Sequence, residues 1–143
     1  MKRRLITWSL AVAGVLFSGV QSKAQAANCS SETLRGQYGF FVQATILPAG
    51  TPRSILGQFD FDGRGNFTTT LTFNDNASIN HATDSGTYAV NADCTGKIFT
   101  NGGTKTIEIV IIDGGSGFYQ LRTDDPHILF QFNAARKQHP GEN

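Results

Sequence analysis

The chain has 143 residues, of which 39% are hydrophobic, enough to bury a core and too many for a disordered polymer. Its formal net charge of +1 and its 16% of charged residues leave no basic excess that would mark a nucleic-acid binder. The length suits one domain, and 16 glycines against 4 prolines promise many turns.

In chain order, Lys2, Arg3 and Arg4 precede an apolar run from Leu5 to about Val20, and the small-residue segment SKAQAA follows. A positive start, an apolar middle and an A-x-A site form the pattern of a cleaved secretory signal peptide. Residues 1–26 are therefore expected to leave, and the protein to be exported, to the periplasm or the exterior. The apolar run falls short of the roughly 20 residues a membrane-spanning helix needs. No second run is long enough either, so no stable membrane insertion is expected after cleavage. Asn28 before Cys29 argues against a lipid-modified cysteine, where a small residue belongs. Cleavage removes four of the twelve lysines and arginines and none of the eleven acids, leaving a formal charge of −3. Nucleic acid is not an expected partner for such a surface.

Cys29 and Cys94 are the two cysteines. In an exported chain an even pair predicts a disulfide, here tying residues 27–36 to the middle of the sequence. Without a histidine cluster nearby they make a poor zinc site. Residues 37–135 read as the folded domain and 136–143 as a flexible tail.

Two-residue alternation marks half-buried strands. In QYGFFVQATIL it places Tyr38, Phe40, Val42, Ala44 and Ile46 on one face. In NFTTTLTF it places Phe67, Thr69, Leu71 and Phe73 opposite Asn66, Thr68, Thr70 and Thr72. Near the end Ile128, Phe130 and Phe132 share a face. About eight strands are expected, over 37–47, 53–61, 66–73, 85–91, 96–100, 104–112, 117–123 and 127–134. The links DGRG, DCTG, NGG, DGGSG and TDDP supply turn residues. Residues 74–84 read as the main irregular loop, and only Cys29 to Arg35 has helical character. Such a meander must close or pair with a second sheet to protect its edges. The expected fold is all-β, an antiparallel up-and-down β-barrel of about eight strands, with a β-sandwich as the alternative.

Three motifs carry a resemblance: LRGQYGFF (Leu34 to Phe41), GQFDFDGRGNF (Gly57 to Phe67) and SGTYAVNADCTG (Ser85 to Gly96). Together they resemble a loosely defined family of small exported bacterial proteins with the patterns L-x-G-x-Y-G-F, F-D-G-x-G-x-F and G-T-Y-x-V-x-x-D-C-T-G. That resemblance implies export and no particular activity. The layout is also similar, in architecture alone, to allene oxide cyclase-like and lipocalin-like barrels.

GQFDFDGRGNF has the acids of a calcium loop but not their order. Counting from Asp60, Arg64 takes the fifth position and Leu71 the twelfth, where oxygen ligands are required. Asp60 and Asp62 point the same way from one strand, opposite Phe59 and Phe61, which suits a hairpin better than an acid–base pair. No metal or cofactor is expected, and no nucleophile elbow, P-loop or H-E-x-x-H motif occurs. Glu108 alternates with Ile107, Ile109 and Ile111, so water is its simplest surrounding. Arg122, on the face of Phe118 and Gln120, reads most simply as a surface residue; turned inward it would pair with Glu108 or anchor a carboxylate. These two are the weak catalytic candidates, and His81 and His127 read as exposed loop residues.

An eight-stranded barrel has room for packed side chains or one small ligand. The leading expectation is a module binding a small, largely apolar ligand, lined by Tyr38, Phe40, Phe59, Phe73, Tyr88, Phe130 and Phe132. The alternatives are a cyclase or isomerase working in the barrel cavity and a structural or interaction protein of the cell envelope.

Overall fold

The computed structural model describes residues 28–138, and the side chains of all of these but 130–133. The expected signal peptide and the end of the tail, from residue 139, lie outside the described residues. Eight strands follow in order: β1 (Arg35–Ile46), β2 (Thr51–Asp62), β3 (Asn66–Asp75), β4 (Ser78–Val90), β5 (Thr95–Thr100), β6 (Lys105–Ile112), β7 (Gly117–Arg122) and β8 (Ile128–Lys137). Each pairs antiparallel with the next, and β8 returns to β1, so the sheet is a closed up-and-down barrel. Closure rules out the sandwich.

Alternation does what it promises. Tyr38, Phe40, Val42 and Ala44 of β1 are buried while Phe41 and Gln43 are exposed. Phe59 and Phe61 of β2 face inward and Asp60 and Asp62 outward. In β6 Ile109 and Ile111 are buried between exposed Glu108 and Val110. Phe67 and Thr69 of β3 likewise enter the core.

Two boundaries depart from expectation. Residues 74–84 are not an irregular loop: β3 runs to Asp75 and β4 starts at Ser78, joined by a two-residue turn at Asn76 and Ala77. Both turn residues have positive φ, 47° and 71°, the signature of a type I′ hairpin turn. The Asn74 side chain accepts a hydrogen bond from the Ala77 amide at 3.1 Å. The domain also extends beyond residue 135, because Arg136 and Lys137 belong to β8 and pair with Gly39 and Tyr38.

The two ends of the barrel differ. At one end the segment from Cys29 to Leu34 folds under the opening through a short 3₁₀ turn, Ser31–Thr33. A disulfide between Cys29 and Cys94, with Cα atoms 5.0 Å apart, ties it to the β4–β5 turn. Leu34 is fully buried, and the Tyr88 hydroxyl donates towards the Leu34 and Ser31 carbonyls at 2.8 and 2.9 Å. The Tyr38 hydroxyl donates to the Gly115 carbonyl at 2.6 Å. Burial raises the pKa of both phenols, which keeps them protonated donors.

Around this plug Phe61 makes ring contacts with Tyr38, Phe59, Phe67, Tyr88 and Phe118, at centroid distances from 4.9 to 5.9 Å. Each such pair adds about 1 kcal/mol beyond simple burial. This end is solid. The opposite end, reached by the turns after β1, β3, β5 and β7, is where the interior opens.

Candidate functional site

A cavity of about 130 Å³ lies between the aromatic plug and the open end. Its apolar wall is Phe40, Val42, Ile55, Phe59, Leu71 and Ile107, with Phe73 and Ile128 beside them. Phe40 and Phe59 stack with centroids 4.6 Å apart. Phe40 has space for its ring because Gly57 faces it across the β1–β2 ladder. A β-carbon on Gly57 would come within 2.5 Å of that ring.

Neutral polar groups interrupt the wall. Thr69, Thr100 and Gln120 are all buried, with relative exposures of 5%, 9% and 7%, and all three line the cavity. Thr100 donates its hydroxyl proton to the Asp84 carboxylate. Thr69 Oγ1 has no hydrogen-bond partner among the described residues. A buried hydroxyl in that state is costly, about 1–3 kcal/mol relative to a satisfied one.

Charges ring the mouth, and both arginines among them are paired. Arg53 holds Asp75 with both ends of its guanidinium fork, Nη2 to Oδ2 at 2.7 Å. Arg122 grips Asp124 in the same way, at 2.9 and 2.8 Å, and the Thr106 amide donates to the same carboxylate at 3.1 Å. The Arg122 hydrogen bonds, helped by that amide, lower the Asp124 pKa to about 2. Burial pushes the Asp84 carboxyl up, but hydrogen bonds from Thr100, Ser85 and Asn101, with nearby Lys105, hold it below the usual range. The site is an apolar chamber with neutral donors and acceptors inside and a charge-balanced rim.

The sequence candidates distribute unevenly over this geometry. Phe40, Phe59 and Phe73 line the cavity. Tyr38 and Tyr88 belong to the plug, where their hydroxyls hold backbone carbonyls and take no part in the chamber. The side chains of Phe130 and Phe132 lie outside the described residues. Glu108 is on the outer surface, 3.3 Å from Lys97 Nζ, each about half exposed. Arg122 is no open surface residue, since its side chain is 17% exposed and it lines the mouth. Glu108 and Arg122 therefore stand on opposite faces of the wall and cannot act as a pair. His81 is exposed against the Thr72 hydroxyl at 3.0 Å, and His127 is exposed beside Asp125.

Thr69 and Gln120 were readable as polar residues on otherwise apolar strand faces, the first between Phe67 and Leu71, the second after Phe118. Asp84 carried no such signal, because the segment around it lacks alternation. The hairpin GQFDFDGRGNF closes on itself. Asp62 Oδ1 accepts from the Arg64 and Asn66 amides at 2.6 and 3.0 Å, and Oδ2 accepts from the Asn66 side chain at 2.7 Å. Those bonds, the Asn66 side chain first, lower the Asp62 pKa and leave its oxygens engaged in the turn.

The outer wall carries an apolar row. Val110 pairs with Tyr119, Tyr119 with Ala134, Ala134 with Phe41 and Phe41 with Leu56, across five strands. Leu56 is 61% exposed and Tyr119 55%. No family model, curated protein or solved structure matches the chain.

Proposed function

We propose that the protein is an exported binding module that holds a small, largely apolar ligand in its barrel. The observation that carries the reading is the chamber itself, a space of about 130 Å³ left among the described side chains, beneath a charged rim and above a plug of packed aromatic rings. Cores are normally filled to crystal-like density, so an apolar space of this size beside an open mouth favours an occupant. Export draws support from the N-terminal pattern and from the disulfide, a bond that persists in oxidising compartments. The motif resemblance to small exported bacterial proteins points the same way.

The test is an amide NMR titration of the folded protein with toluene. Saturable shifts confined to Phe40, Phe59, Thr69, Leu71 and Ile107 are expected. Shifts that grow linearly and scatter over the surface would remove the reading.

The exposed row from Val110 to Leu56 favours a second reading, an interaction role for the outer wall. Sedimentation analysis over a concentration series separates the two. Association that Leu56→Glu abolishes supports the second, and a monomer throughout leaves the first alone. The cavity-enzyme alternative loses Glu108, which lies outside the barrel, and keeps only Arg122, which is bound to Asp124 at the mouth; it is not proposed.

A further inference from the structure

We propose that the chamber selects a neutral, single-ring molecule carrying one hydroxyl, a small phenol or cyclic alcohol, and that Thr69 is the group that recognises the hydroxyl. This rests on the ligand-binding reading above and narrows it. Size sets the first limit. The space is about 130 Å³, and an apolar cavity of about 150 Å³ is enough to hold benzene. One ring is about the limit of the space inside, and anything larger would have to extend through the mouth.

Polarity sets the second. Thr69 lines the chamber, and its Oγ1 is buried and lacks a partner among the described residues, so a turn about χ1 is what would present the hydroxyl to a ligand. A hydroxyl both donates and accepts, so the natural complement is another neutral group that does either. Gln120 brings a second neutral polar side chain from β7, four strands away in a ring of eight and so on the facing wall.

Charge sets the third. The rim arginines are already bound to Asp75 and Asp124, and Lys105 faces Asp84. Lys105 makes no closer ion pair among the described residues, but the negative Asp84 beside it offsets its charge, so an anionic ligand would have to compete with Asp84 and would meet an apolar wall.

Toluene and phenol are close in shape and differ in the hydroxyl, which makes their ratio of affinities the quantity to read. Absolute affinity is less informative, because phenol loses more hydration on entering any apolar site. The same NMR titration is run with toluene, phenol and benzoate on the wild-type protein, Thr69→Val and Thr69→Ser. Valine keeps the threonine shape without the hydroxyl, and serine keeps the hydroxyl. The expected result is that Thr69→Val weakens phenol relative to toluene by about tenfold, while Thr69→Ser restores most of the preference. Benzoate is expected to bind at least about tenfold more weakly than phenol.

A phenol-to-toluene ratio unchanged by Thr69→Val, as it would be if Thr69 served only a resident water, overturns the assignment and leaves the binding module standing. Benzoate binding more tightly than phenol overturns the neutral-ligand assignment. Absence of saturable binding for both toluene and phenol overturns this inference together with the reading beneath it. An unchanged or raised melting temperature for Thr69→Val shows that the comparison is made on a folded protein.

Discussion

Asp124 shows how a single side chain shapes the mouth. Its carboxylate is held by the Arg122 fork and by the Thr106 amide, linking the end of β7 to the start of β6. Its pKa of about 2 lies below the roughly 3.9 of an unfolded aspartate. The folded state therefore binds this proton less readily than the unfolded chain. The stabilisation is fully present above about pH 4 and is lost as pH falls towards 2. Because the pair sits near solvent, screening reduces its worth to about 1 kcal/mol at neutral pH. Urea unfolding of Asp124→Asn between pH 2 and 7 checks this. The variant should be less stable than wild type at pH 7, and the gap should close between pH 4 and 2. A gap independent of pH would show that the interaction does not depend on ionised Asp124.

Among the elements, the β3–β4 hairpin was the hardest to see in the sequence, and its chemistry explains why. The strongest short-range sign of a type I′ turn is Asn-Gly, and here the pair is Asn76-Ala77. Ala77 carries its β-carbon at a φ of 71°, which costs about 1 kcal/mol. Around the turn, Asn74 and residues 76–81 are all exposed, so no buried face imposes a two-residue rhythm. Beyond Thr87, towards this turn, β4 pairs with β3 alone. Ala77→Gly should therefore raise stability by about 0.5 kcal/mol, the relief of strain outweighing the added freedom of the unfolded chain. Thermal melting of the two proteins decides it, and a lower melting temperature for the glycine variant would contradict the turn geometry. The other strands were legible because each buries one face. Thr69 on β3 and Gln120 on β7 were legible as positions, but their meaning depends on the space between them, which alternation does not encode. Arg122 misled for the opposite reason: an arginine on an apolar face reads as a surface residue until its partner Asp124, two positions on, is seen to satisfy it.

At the scale of the whole molecule, the barrel is solid at one end and open at the other, and the disulfide belongs to the solid end. The sequence pointed to the closed barrel through strand number and to the Cys29–Cys94 pair through parity and the expectation of export. It did not show how the phenylalanines and tyrosines divide between plug and chamber, because filled and hollow interiors share one pattern. Cys29 and Cys94 are 65 residues apart, and cross-linking a loop of that length stabilises a protein by at most about 4 kcal/mol. Replacing both cysteines with serine should cost about 2–4 kcal/mol in denaturant unfolding. Hydrogen exchange should then rise first at Leu34 and Tyr88, where the N-terminal segment is held. A cost below about 0.5 kcal/mol would mean that the plug holds its place through Leu34 and the tyrosine hydroxyls alone.

The first described strand starts, and the last one finishes, at the sealed end of the barrel: Tyr38 of β1 lies opposite Lys137 of β8. Anything joined to the chain beside Cys29 or after Gln138 therefore departs from the side facing away from the mouth. A protein fixed to a bead, sensor surface or larger assembly through either of these points would present its rim of Arg53, Lys105 and Arg122 outward, with the approach to the chamber unobstructed.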